Sequence, residues 1–132
     1  MLKKIFLQTA SQVDFVNITK EVENFIASAN VSDGIISIFV PHTTAGITIN
    51  EQADPDVAAD IQSELNNIVP HHAHFLHSEG NSSAHIKASI MGSSVQIIVE
   101  KNKPLLGTWQ GVFLCEFDGP RRREIWMKII KC

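Results

Sequence analysis

Residues 113–129 read Phe113-Leu114-Cys115-Glu116-Phe117-Asp118-Gly119-Pro120-Arg121-Arg122-Arg123-Glu124-Ile125-Trp126-Met127-Lys128-Ile129. Successive side chains of an extended chain point to opposite sides. Phe113, Cys115 and Phe117 therefore share one face of a strand, and Ile125, Met127 and Ile129 share one face of the next. Asp118-Gly119-Pro120 between them is a turn signal. Just upstream, Val95, Ile97 and Val99 alternate with Gln96 and Glu100. The C-terminal third is expected to be a β-meander, which decides against a βαβ parallel repeat.

Working outward, Lys3–Thr9 reads as a first strand. Ile18, Val22, Phe25, Ile26 and Ala29 recur at spacings of three and four, the mark of an amphipathic helix. After Gly34, the β-branched run Ile35–Val40 predicts a strand buried on both faces, stopped by Pro41. A further strand is expected at Ile47–Asn50. Asp54-Pro55-Asp56 is a helix start, with Asp54 as N-cap and Pro55 at the first helical position. Val57, Ile61, Leu65 and Ile68 form its apolar stripe, and Pro70 closes it. Residues 71–80 read as loop. Asn81 or Ser82 then caps a short third helix carrying Ile86 and Ile90, with Gly92 past its end. The pattern is α+β: one compact domain over residues 1–132, a mostly antiparallel sheet or sandwich with two to three helices.

Composition bounds the function classes. With 44% hydrophobic and 19% charged residues, disorder is not expected. A net charge of −3 and a pI near 6.0 argue against a nucleic-acid partner. The longest apolar run is too short to span a bilayer, so no membrane partner is expected. The N-terminal residues lack a secretory pattern, and two cysteines make no disulfide framework. A cytoplasmic location is the expectation.

Five clusters could carry chemistry. Pro41-His42-Thr43-Thr44-Ala45-Gly46 follows a strand, where strand ends open into site-bearing loops. Glu51 lies nine residues after His42, and a hairpin could return it beside that imidazole. Asp54 already has work as a helix cap, and Asp60 and Glu64 suit a solvated helix face. Residues 71–85 hold five of the six histidines. Their spacing fits no closed zinc signature, and His71, His72 and His74 read as incidental. His85 falls in the first turn of the third helix, where the helix dipole disfavours imidazolium and leaves a metal ligand or general base. Asn81, Ser82 and Ser83 flank the unpaired first-turn N–H groups, a ready phosphate site. Gly107-Thr108-Trp109-Gln110-Gly111 brackets a Trp and an amide between glycines. Arg121-Arg122-Arg123 suits either a solvated turn or bidentate phosphate recognition.

Together, His42-Thr43-Thr44-Ala45-Gly46, Asn50-Glu51, Asp54-Pro55-Asp56-Val57, Glu79-Gly80, Ala84-His85-Ile86-Lys87 and Gly107-Thr108-Trp109-Gln110-Gly111 resemble the YjbQ-like family over nearly the whole chain. Members of that family are described as secondary thiamine-phosphate synthase enzymes. One departure is Asn102, where the pattern has Gly; Asn tolerates positive φ, so the turn should survive. The resemblance implies an α+β fold, a homotrimer and a site built from His42, Glu51, Asp54, His77, His85 and Gln110.

That activity joins a hydroxymethylpyrimidine diphosphate to a thiazole phosphate and expels diphosphate. The leaving group needs its charge neutralised, and Asn81, Ser82, Ser83 and Arg121 are the phosphate-binding candidates. Two other readings stay open. In a metal-dependent hydrolase, His42, His77 and His85 would hold a divalent ion, Zn or Mg, with Glu51 as base. The third reading is a non-catalytic trimer that binds a small anion.

Overall fold

The computed structural model describes residues 1–71 and 75–132. His72 and His74 lie outside the described residues. In chain order the elements are β1 (Leu2–Gln8), β2 (Asp14–Asn17), α1 (Thr19–Ala29), β3 (Gly34–Phe39), β4 (Ala45–Glu51), α2 (Pro55–Ile68), α3 (Ser82–Met91), β5 (Ser94–Glu100), β6 (Lys103–Pro104), β7 (Gln110–Glu116) and β8 (Arg122–Lys131). They form one five-stranded sheet, β1-β8-β3-β5-β6, and one three-stranded sheet, β2-β7-β4. The strand pairs are antiparallel. The α+β class and the single domain hold; the meander does not. β7 and β8 pair with other strands and lie in different sheets. The Asp118-Gly119-Pro120 segment therefore carries the chain from one sheet to the other. A tight turn and period-two alternation do not specify which partner a strand takes, because register and pairing are set by the faces that must be buried.

Two apolar clusters explain the layering. The larger joins Ile18, Val22, Phe25 and Ile26 from the α1 region to Ile36, Ile38, Ile47, Leu114, Ile125 and Met127 of both sheets. The smaller packs Leu65 of α2 and Ala84 and Ala88 of α3 against Cys115 and Phe117. β7 is thus the strand buried on both faces: Leu114 looks one way and Cys115 the other. β3 was expected in that role, but its pattern alternates. Ile36 and Ile38 are buried, while Ile35 and Phe39 lie on the outer face of the larger sheet with Phe6, Ile98 and Ile130.

α1 buries its expected stripe of Val22, Phe25 and Ile26, and α2 keeps its start signal, but at α3 the expected cap is not made: Asn81 stands at the N-cap position and its side chain makes no capping bond, donating instead to Asp118. Asp54 caps α2, its side chain accepting the Asp56 N–H at 2.9 Å, with Pro55 first in the helix. On that helix Leu65 is buried and Ile68 is exposed. On α3 the expected apolar residues Ile86 and Ile90 face outward, and Ser83, Ala84, Lys87 and Ala88 are buried. Small residues lie inside because α3 approaches β4 closely. A Cβ at Gly46 would stand 2.7 Å from the Gly92 carbonyl oxygen and 3.1 Å from Met91 Cβ. Asn102 does adopt a positive φ of 62° in the turn between β5 and β6, as its residue type allows. Among the described residues no helix is long and apolar enough to cross a membrane.

Candidate functional site

The site grows from the contact of α3 with the loop between β3 and β4. The Val40 N–H donates to the Ser93 carbonyl at 2.8 Å, and the Ile47 N–H donates to the Gly92 carbonyl at 3.0 Å. These bonds anchor the C-terminal end of α3 to both sides of the Pro41–Thr44 loop. A cleft of about 400 Å³ lies between them, lined by His42, Thr43, His85, Ser89, Gly92 and Ser93. A second cleft of about 250 Å³ shares Thr43 and His85 and is lined further by His77, Glu79, Asn81, Asp118 and Arg121. The His77 and His85 rings meet edge to face, their centroids 5.3 Å apart. His77 Nε2 is 3.9 Å from a Glu79 carboxylate oxygen. His42 and His85 thus share one cleft, and His77 and His85 share its neighbour.

His42 is held by the backbone. The Glu124 N–H of β8 donates to its Nε2 at 2.9 Å. Burial and the nearby Arg123 guanidinium hold its pKa below the usual imidazole value. Beneath the loop lies an ion pair that the sequence reading missed. Arg123 donates to both Glu116 carboxylate oxygens, from Nε at 2.8 and 3.1 Å and again from an NH2 group. The same guanidinium donates to Thr44 Oγ1 at 2.8 Å and to the Thr44 carbonyl at 3.2 Å. Glu116 also accepts from the Thr9 hydroxyl at 2.7 Å and from the Phe117 and Asp118 N–H groups, each at 3.1 Å. Burial works against the Glu116 charge, but these donors outweigh it and keep its carboxyl below the ordinary range. The pair joins β7 to β8 across the two sheets and fixes Thr44 from below. A charged residue inside an otherwise apolar strand was the available signal, since a buried carboxylate requires a partner.

The other expected site residues lie elsewhere. Glu51 ends β4, opposite Gln110 of β7. Along an extended strand that is roughly 20 Å from Ala45, at about 3.3 Å per residue. Glu51 therefore does not return beside His42; one of its oxygens accepts the Ala53 N–H at 3.1 Å. Asp54 is engaged as the α2 cap. Gln110 folds back on its own loop, its Oε1 accepting the Gly107 N–H at 2.8 Å. Glu51, Asp54 and Gln110 thus belong to the opposite end of β4 within one chain.

The phosphate candidates divide as well. Ser83 is buried, with its Oγ 3.2 Å from Nδ1 of His71, so it is not offered to a ligand. Asn81 donates to Asp118 at 2.9 Å, and its Oδ1 is buried without a partner among the described residues. Ser82 opens α3 half-buried and lines neither cleft. Arg121 lines the second cleft but donates to the Asp118 carboxylate at 3.0 Å and to its carbonyl at 2.9 Å. Asp118 therefore offsets part of its charge. Among the described residues no three His, Cys, Asp or Glu side chains are grouped to hold a metal ion. His42 Nε2 is already engaged. His42 and His85 line one cleft and His77 and His85 the other, so within one chain the three rings do not line a single cleft.

A family model described as UPF0047 protein YjbQ-like matches residues 3–132. A UPF0047 protein of Methanocaldococcus jannaschii is 54% identical over 130 residues, covering 98% of this chain and 94% of the relative. The UPF0047 protein YugU of Bacillus subtilis is 45% identical, covering 98% and 99%. A crystal structure of an uncharacterised conserved YjbQ/UPF0047 protein from Clostridium acetobutylicum superposes with a TM-score of 0.95 at 52% identity, covering 97% and 99%. A protein of unknown function from Sulfolobus solfataricus superposes with a TM-score of 0.96 at 32% identity, covering 100% and 97%.

Proposed function

The chain belongs to the YjbQ-like UPF0047 family, and from that premise we propose that it acts on a small phosphorylated substrate held across the two adjoining clefts, with thiamine-phosphate synthesis as a secondary activity. The observation that carries this reading is the sharing of Thr43 and His85 by a neutral, hydroxyl-lined cleft and a charged one. A substrate with a polar ring and a phosphate needs two such unlike halves in contact. In the synthase reaction the thiazole nitrogen bonds to the pyrimidine methylene carbon, and the C–O bond to diphosphate breaks. The diphosphate leaves with the electron pair, so donors must meet growing negative charge. Arg121 and the His77 and His85 imidazoles are the groups placed to do so. Incubating the purified protein with hydroxymethylpyrimidine diphosphate and thiazole phosphate, and following thiamine phosphate, tests the reading. Product above the uncatalysed rate supports it; its absence refutes the synthase assignment.

The working form in this reading is a homotrimer. Its support is the outer face of the five-stranded sheet, where Phe6, Ile35, Phe39, Ile98 and Ile130 are exposed on neighbouring strands. A second copy covering that face would remove apolar surface from water. Assembly could also bring Glu51, Asp54 and Gln110 of one subunit toward the clefts of another. The protein is read as cytoplasmic, on its composition and on having two cysteines with no disulfide framework.

A further inference from the structure

We propose that the cleft between the Pro41–Thr44 loop and α3 is a neutral donor site, in which His42 carries its ring proton on Nδ1 and gives it in a hydrogen bond to an acceptor oxygen of the ligand. His42 then serves neither as general base nor as metal ligand.

A backbone N–H can only donate. The nitrogen that receives the Glu124 N–H at 2.9 Å must therefore present a lone pair, and that nitrogen is Nε2. A neutral imidazole has one N–H and one lone pair, so the proton sits on Nδ1. The bond spans 82 positions of sequence and ends on β8, which is paired on both sides, by β1 and β3. The ring is thus oriented by the sheet. The Glu124 carboxylate is engaged by the Trp126 indole N–H at 3.1 Å. Nδ1 has no partner among the described residues. His42 lines the cleft, so its ring is open to a ligand there. The cleft it lines adds the His85 ring, the Thr43 and Ser93 hydroxyls and the Ser89 hydroxyl, which itself donates to the His85 carbonyl at 2.9 Å, and no Asp, Glu, Lys or Arg side chain. One N–H fixed by the sheet, in a cleft whose only titratable side chains are the two imidazoles, selects an acceptor oxygen over a cation.

The inference rests on the proposed function only in taking these clefts as the ligand site; the tautomer is independent of any turnover. Long-range nitrogen–proton NMR of the full chain, labelled at histidine nitrogens and held at pH 7.5, reads it directly. The His42 signals are assigned with His42→Asn. If that variant does not fold, through-space contact to the Glu124 amide proton assigns them in the unaltered protein. The expected result is a proton on Nδ1 and an unprotonated Nε2. Titration with inorganic phosphate and, separately, with acetate should shift the His42 ring signals while the tautomer persists. A response to phosphate alone, or to both anions, supports the donor role and tells which oxygen source the site prefers. A proton on Nε2, a doubly protonated ring, or His42 signals unmoved by either anion would overturn the proposal.

Discussion

Arg121, Arg122 and Arg123 are consecutive in the chain and meet three different surroundings. Arg121 lines the second cleft and leans on Asp118. Arg122 points outward over the Phe6 ring, 4.3 Å from its centroid. Arg123 is buried against Glu116 and Thr44. Alternation along β8 turns Arg123 inward, but only the fold shows that Glu116 waits there. The triplet was legible as charge and illegible as three roles, because a partner seven residues away in another sheet leaves no local pattern. The place of His42 in a cleft was legible for a simpler reason: a His after a strand in a short loop is placed to reach one. Removing Arg123 leaves a buried carboxylate uncompensated, which typically costs about 3–5 kcal/mol. Arg123→Ala should therefore lower the unfolding free energy by that order in denaturant titration, and Arg123→Lys should rescue it only in part, because an ammonium lacks the bidentate fork. A change within about 0.5 kcal/mol, the range of ordinary surface substitutions, would deny the pair its role.

At the scale of elements, α3 is the piece that makes the site, and its packing was the hardest to read. Its periodic apolar residues, Ile86 and Ile90, face outward. Its buried face consists of small residues and Lys87, whose amine donates to Asn66 of α2. Apolar periodicity reports which face prefers burial only when the neighbour leaves room for large side chains, and Gly46 shows how little room β4 leaves. The α2 start, by contrast, was legible to the residue, since capping by Asp54 and Pro55 is local chemistry. A Gly46→Ala methyl would meet the Gly92 carbonyl at 2.7 Å, forcing the C-terminal end of α3 away from the loop. Overpacking of this kind costs about 1–3 kcal/mol. The variant should lose stability in that range, and the amides of Val40 and Ile47, which bond to Ser93 and Gly92, should exchange with solvent faster. Unchanged exchange at both amides would mean that α3 does not rest on Gly46.

For the whole molecule, burial holds down the pKa of Lys87, and two groups that titrate on the acid side are also held down, His42 and Glu116. A group with a depressed pKa contributes stability that is present above its unfolded value and lost as pH falls through its folded value. The unfolded values are about 6.5 for His and about 4.3 for Glu. The unfolding free energy should therefore begin to fall as the pH drops below about 6.5, with a further loss once it passes below about 4.3. A flat profile from pH 7 to pH 4 would contradict this. The exposed outer sheet predicts self-association. Sedimentation equilibrium at micromolar concentration should give three times the 14.6 kDa of the chain, and a 14.6 kDa species would remove the trimer. The central claim is that the paired clefts form the ligand site, and His85 is common to both. The direct measurement is calorimetric titration of hydroxymethylpyrimidine diphosphate into the unaltered protein and into His85→Ala. The account predicts saturable binding that weakens at least tenfold in the variant, a loss of about 1.4 kcal/mol. Equal affinity in a folded His85→Ala protein, or no binding to the unaltered chain, would contradict it.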